Sequence, residues 1–215
     1  MRLTSYGKKE LAAVLFAGLL SIPLLILVAP YLIIIPLLFM GFVLYFFRDP
    51  NRIVPEEPNV FVAPADGKVV AVDEVTEELY FNGPVRRICI FLSLTNVHIN
   101  RVPFEGTVEK IIYTPGKFLN ALRERASTEN ENNLIGFRAP QGFCFGVKQI
   151  SGTIARRIVC RLENGDQPKA GEKFGMIKFG SRTEIYFPEE EKIEILIHKG
   201  DKVVAGETLI ARYIG

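Results

Sequence analysis

The chain has 215 residues, 48% of them hydrophobic and 23% charged, with a formal net charge of +2. That length holds one ordinary domain plus an extra segment; the apolar fraction excludes a disordered chain, and the near balance of charge gives no footing for nucleic acid. Three scattered cysteines, Cys89, Cys144 and Cys160, form neither a disulfide framework nor a Cys-x-x-Cys pair, and His98 and His198 make no clustered zinc set, so no metal is expected.

The first element in the chain is apolar. Leu11 to Phe47 carries no charged side chain, well beyond the roughly 20 residues one helix needs to cross a bilayer core. Pro23, Pro30 and Pro36 interrupt it, and Ala29-Pro30-Tyr31 is the natural place to turn. The segment is therefore expected to form a hydrophobic helical hairpin, residues 1–47, that anchors the chain to the cell membrane. Arg2, Lys8 and Lys9 precede it while Arg48 and Arg52 follow it. Basic residues on both flanks keep both ends, and the domain that follows, on the cytoplasmic side. A signal peptide is the competing reading, but the run exceeds the usual apolar length of about 7–15 residues and lacks a cleavage site.

From Val60 onward, short runs rich in Val, Ile and Phe alternate with Gly, Pro, Asn and Asp, which is strand-and-turn chemistry. Strands are predicted at Lys68–Val75, Arg86–Leu94, Thr107–Tyr113, Cys144–Ile150, Ile154–Arg161, Thr183–Phe187, Lys192–His198 and Thr208–Tyr213. One helix is predicted, Lys117–Ala126, with Phe118, Leu119 and Leu122 on one face. Helices between the strands are missing, so parallel βαβ units are not expected. Residues 48–215 should be a compact, mainly β (α+β) domain with antiparallel sheets. Ala63–Val69 and His198–Gly206 share a turn-between-strands texture, and the second resembles the hairpin of biotinyl carrier domains, though no lysine stands alone at its tip.

Reactive residues are few. A Ser–His–Asp arrangement needs an activated serine, a base and an orienting carboxylate brought together by the fold. His98, in Asn96-Val97-His98-Ile99-Asn100, is the better base; His198 sits before a Lys-Gly-Asp turn and reads as a surface residue. Asp66 lies in a Pro-Ala-Asp-Gly turn and by itself is a turn-former. Ser181 follows Gly180, and no Gly-x-Ser-x-Gly elbow is present, which disfavours an α/β-hydrolase.

Taken in order, these pieces form a pattern. Phe47-Arg48-Asp49-Pro50-Asn51-Arg52 comes first, then Ala63-Pro64-Ala65-Asp66-Gly67-Lys68-Val69, then Phe91 to Pro103 with His98 at its centre. Glu129-Asn130-Glu131-Asn132, Gln149-Ile150-Ser151-Gly152 with Ala155-Arg156-Arg157, and Phe179-Gly180-Ser181-Arg182 complete it. From Arg48 to the C-terminus the chain resembles the phosphatidylserine decarboxylase family in its short form, which includes the archaetidylserine enzymes.

The resemblance implies an enzyme, a carboxy-lyase whose cofactor is a covalent pyruvoyl group derived from Ser181. The chain would cut itself between Gly180 and Ser181 into a β chain of residues 1–180 and an α chain of 181–215. Carried over by motif, Ser181 is the nucleophile and cofactor precursor, His98 the base and Asp66 its orienting carboxylate. The substrate would be a membrane phospholipid, phosphatidylserine or archaetidylserine, converted to the ethanolamine lipid. Long-form members have a second histidine three residues after the first; here that position is Arg101, which could hold the lipid phosphate or serine carboxylate, or simply pair with Glu105. Two other readings compete: a non-catalytic membrane adaptor with a biotinyl-like β domain, and a membrane-bound serine hydrolase. The sequence leaves a monomer and a homo-oligomer both open.

Overall fold

A computed structural model of the chain describes residues 2–153, 157–178 and 180–215. The start of the strand expected at Ile154–Arg161, the motif residues Ala155 and Arg156, and Phe179 lie outside the described residues. The chain divides into two compact units, Met1–Asn51 and Arg52–Gly215.

The first unit is a helical hairpin. Helix α1, Lys8–Val28, carries Pro23 inside it, and α2 spans Ile34–Phe46. Between them Ala29 leaves helical geometry at φ −157°, and Pro30 opens a single 3-10 turn to Ile33, the place a proline suits because it has no N–H to satisfy. Helix α1 together with the turn before it, Ser5–Val28, is long and apolar enough to cross a membrane; α2 is shorter. Small residues let the helices approach: a Cβ on Gly18 would fall 2.3 Å from the Met40 sulfur. The hairpin's two ends meet, with the Thr4 amide donating to the Phe47 carbonyl at 2.9 Å and the Asp49 amide to Arg2 at 2.8 Å. Its outward side chains, Leu20, Leu24, Leu27 and Leu38 among them, are exposed.

The second unit is built from antiparallel sheets, as the texture of its sequence predicts. Its strands are β1 Val60–Val62, β2 Gly67–Glu77, β3 Gly83–Leu92, β4 Ile99–Arg101, β5 Thr107–Thr114, β6 Asn132–Arg138 and β7 Cys144–Ile150. They continue with β8 Ile158–Cys160, β9 Lys173–Ile177, β10 Ser181–Pro188, β11 Ile193–Ile195, β12 Lys202–Val203 and β13 Leu209–Tyr213. The main sheet has the order β12-β2-β3-β10-β7-β6-β5; β1-β13-β11 and β4-β9-β8 form two small ones. Central in the main sheet is β10, paired with β3 from Ser181↔Leu92 to Pro188↔Val85 and with β7 on its other side.

The core lies on one face of the main sheet, where apolar side chains of the small sheets meet it. Phe61 of β1 stacks on Phe104 at 4.6 Å and meets Phe187 and Phe145 edge-on at 5.0 and 5.4 Å, geometries that suit aromatic quadrupoles. The two segments of shared texture turn out to be partners, since β12 pairs with the start of β2, Lys202↔Lys68 and Val203↔Gly67.

The helix expected over Lys117–Ala126 does not form. The segment is a strap that runs without regular structure to Asn120, passes through turns over residues 121–125 and ends in one helical turn, α3, Ala126–Glu129. Long-range bonds replace helical ones: the Lys117 amide donates to Glu129 and the Glu131 amide to Lys117, while the Asn130 side chain accepts from the Leu119 amide and donates to the Leu119 carbonyl. Three apolar residues at helical spacing could not outweigh that set of tertiary partners.

Candidate active site

Three pieces of chain converge on the Gly180–Ser181 bond. The first is the turn after β3. Asn96 caps it by accepting from the Ser93 amide at 2.9 Å and the Ser93 hydroxyl at 2.7 Å, an Asx-type closure. The Asn96 carbonyl then faces His98 Nδ1 at 3.0 Å. His98 is fully buried, and its other nitrogen, Nε2, accepts from the Gly180 amide at 3.3 Å. These two contacts assign the tautomer: Nδ1 carries the proton toward Asn96, and Nε2 presents a lone pair at the junction.

The second piece is the junction itself. Gly180 has φ +62°, a left-handed conformation that a side chain would resist. Ser181 opens β10, is fully buried, and its hydroxyl oxygen has no hydrogen-bond partner among the described residues. A buried hydroxyl left in this state is uncommon and costs roughly 1–3 kcal/mol.

The third piece is Gly152, after β7. A Cβ there would lie 1.8 Å from the Gly180 carbonyl oxygen, so only glycine lets the chain pass behind that carbonyl. The sequence contains this residue inside one of the ordered motifs, but nothing in its spacing assigns it this role. Beside the junction opens a cleft of about 250 Å³, with Phe91, Ser93, Leu94, Asn120, Ala121 and Thr153 around Gly180.

Buried amides fix β4, and with it His98, against β10. Asn100 donates to Thr183 Oγ1 at 3.0 Å and accepts from Gln149 Nε2 at 2.9 Å, and Gln149 accepts from Asn133 at 3.3 Å. Asp66 stands apart from the imidazole. Its carboxylate takes both contacts of Arg52 Nη2, at 2.7 and 3.0 Å, and the Ala205 amide at 2.8 Å, so in the uncut chain Asp66 and His98 are not bonded to each other. Arg101 is buried and donates to the Gly171 carbonyl at 2.8 Å.

The opposite face of β10 carries a charged cluster that no local sequence pattern announces. Glu184 is fully buried. It accepts from Ser127 Oγ at 2.8 Å and from the Tyr186 hydroxyl, and faces Arg182 at 2.8 Å and Arg87 at 3.6 Å. Burial alone would push its carboxyl up, but Arg182 and Arg87 hold it below the ordinary value. Burial pushes the Lys148 ammonium down against the opposing pull of Glu184 and Glu77, and raises the Cys89 thiol. Arg182 also donates to the Ala121 and Arg123 carbonyls at 3.1 and 3.2 Å, fastening the strap behind the cleft.

The sequence matches the family described as phosphatidylserine decarboxylase over residues 39–211. The chain belongs to the phosphatidylserine decarboxylase family. It is 50% identical to the phosphatidylserine decarboxylase proenzyme of Carboxydothermus hydrogenoformans over 83% of each chain. The proenzyme of Gluconacetobacter diazotrophicus is 48% identical, over 81% of this chain and 78% of its own. That of Oleidesulfovibrio alaskensis is 42% identical over 95% of this chain and 89% of its own, which takes in the apolar hairpin. Membership makes the chain a decarboxylase, a carboxy-lyase.

Proposed function

We propose that this chain is a phosphatidylserine decarboxylase that makes its own pyruvoyl group by breaking the Gly180–Ser181 bond. One observation carries the reading: His98 Nε2 accepts from the Gly180 amide, next in the chain to a buried Ser181 hydroxyl that has no hydrogen-bond partner among the described residues. A base with its lone pair at the junction, a hydroxyl with nothing to release, and a left-handed glycine on the acyl side are what an acyl shift requires.

In the cleavage, His98 Nε2 takes the Ser181 hydroxyl proton as Oγ attacks the Gly180 carbonyl carbon. The C–N bond breaks, the proton passes to the departing nitrogen, and an ester joins Gly180 to Ser181 Oγ. Removal of the Ser181 α-proton expels the Gly180 carboxylate and leaves a dehydroalanine, which water converts to a ketone with loss of ammonia. The residues present fit the group so formed, because position 181 is buried, directly follows Gly180 of the cleft wall and pairs with Leu92 at the start of β10. A pyruvoyl carbonyl there supplies the electron sink for decarboxylation. His98 Nε2, at the same junction, then returns a proton to the substrate carbon that has lost carbon dioxide.

Asp66 is kept as the carboxylate that supports the base. Its engagement by Arg52 means that Arg52 must let go before an Asp66–His98 pair can form. The N-terminal hairpin anchors the enzyme with its second unit in the cytoplasm, supported by Lys8, Lys9 and Arg48 at the joined ends of the hairpin. A hydrazide reagent is the direct test of the ketone: it should label the fragment that begins at position 181 and nothing in a Ser181→Ala variant. Absence of label, with a fluorophosphonate reacting at Ser181 instead, would favour the serine hydrolase.

A further inference from the structure

A lipid substrate does not fit inside the cleft. At about 250 Å³ it falls below the roughly 300–1,000 Å³ of pockets that enclose a drug-sized ligand. A serine headgroup can enter; two acyl chains cannot, so they stay beyond the mouth. The mouth is apolar. Leu94, part of the cleft wall, is 37% exposed, and the strap that supplies Asn120 and Ala121 exposes Phe118 at 39% and Leu122 at 54%. Next to Leu122, the exposed Arg123 guanidinium has no ion-pair partner among the described residues, whereas Lys117 and Arg125 are tied to Glu129. The backbone that displays these side chains is braced by Asn130 on one side and Arg182 on the other.

We propose that strap residues 118–123 are a bilayer-docking surface of the second unit. Phe118 and Leu122 enter the border of the acyl region, Arg123 meets lipid phosphate, and Leu94 continues the apolar path to Gly180. An aromatic and an aliphatic side chain beside an arginine follow the physics of interfacial segments, in which apolar groups sink below the headgroups and the cation stays among them. The bilayer is favoured over a protein partner because the acyl chains of a half-entered lipid need a continuous apolar medium at this mouth. The inference rests on the lipid decarboxylase reading of the site.

The chain contains no tryptophan, so a single Leu122→Trp substitution gives an unmixed fluorescence reporter. The full chain would be reconstituted in vesicles of phosphatidylcholine and phosphatidylglycerol, with and without bromine on the acyl chains. Gln141→Trp serves as the reference, since the exposed Gln141 lies in the β6–β7 turn, at the far end of the strands from Ser181. The Leu122→Trp variant should shift to the blue and be quenched at least about two-fold more than the reference. Equal quenching, or water-like emission from the Leu122→Trp variant, overturns the proposal; a blue shift that grows with protein concentration in detergent would name a second copy as the occupant. In a second arm, Phe118→Ser/Leu122→Ser should lose about ten-fold or more in turnover of vesicle-embedded phosphatidylserine. It should still cut itself and still act on a water-soluble short-chain phosphatidylserine. Equal loss on both substrates also overturns the docking role. Failure of the unmodified chain to cut or decarboxylate would instead overturn the catalytic reading and leave the quenching result standing.

Discussion

The two faces of β10 treat polar groups in opposite ways. On one, the Ser181 hydroxyl is buried without a hydrogen-bond partner among the described residues, and His98 Nε2 accepts a long bond from the Gly180 amide. On the other, three residues along, Glu184 is surrounded by Arg182, Arg87, Ser127 and Tyr186. Alternation along a strand makes this possible, because successive side chains point to opposite sides. The ion-paired face holds the strand and the strap in place, while the Ser181 face keeps a hydroxyl available for chemistry. Strain and missing partners at a site persist when the surroundings over-determine them, and the buried ion cluster is part of those surroundings.

The contrast can be broken from either side. The largest effect is expected from His98→Ala, which removes the base at the junction. Self-cleavage should slow by about 10²–10⁴-fold, the usual worth of a positioned base, while the melting temperature changes little by comparison; a variant that matures at the normal rate would remove His98 from the chemistry. Glu184→Ala should act the other way. The buried Arg182 guanidinium loses its counter-ion, while Arg87 keeps Asp73, a loss of about 3–5 kcal/mol in denaturant unfolding, yet the molecules that fold should still cut. The Glu184 carboxyl is held below its ordinary value of 4.5. Its stabilisation is therefore complete above that pH and drains away as pH falls through the folded-state value, and Glu184→Gln should flatten that acid limb.

Gly152→Ala tests the junction from behind. Its methyl would collide with the Gly180 carbonyl oxygen, and a displacement of about 1 Å should slow cleavage by roughly 10²-fold in a time course on gels. Asn100→Ala is expected to be milder, taking the amide donor from Thr183 Oγ1 and one of the two acceptors from Gln149 Nε2 at a cost of about 1–3 kcal/mol, with cleavage slowed only as far as β4 shifts His98.

Much of this was legible from the residues. The apolar run with its central proline gave the hairpin, and Val, Ile and Phe alternation gave the antiparallel strands at β2, β3, β5, β7, β10, β11 and β13. Strands β1, β4 and β12 were not recognised because they are only two or three residues long, and β9 because its pairing is decided by β4 and β8, far away in the chain. Strand β6 was hidden by Asn132, Asn133 and Gly136, poor strand formers that the sheet tolerates. The candidate residues Ser181 and His98 came from an ordered set of motifs, whereas their contact through Gly180 depends on the fold. The charge cluster draws Arg87, Lys148, Ser127, Arg182 and Glu184 from four separate elements, so no window of sequence contains it. The failed helix at Lys117–Ala126 has the same origin, since Asn130 and Arg182 capture its backbone from outside the segment.

Intact mass of the purified full chain, measured beside Ser181→Ala, tests the central claim most directly. Two polypeptides, residues 1–180 and 181–215, should be found in the unmodified protein. The smaller should be lighter by one ammonia than a fragment starting with serine, and the variant should run as one uncut chain. A single uncut chain in unmodified protein that decarboxylates phosphatidylserine would contradict it.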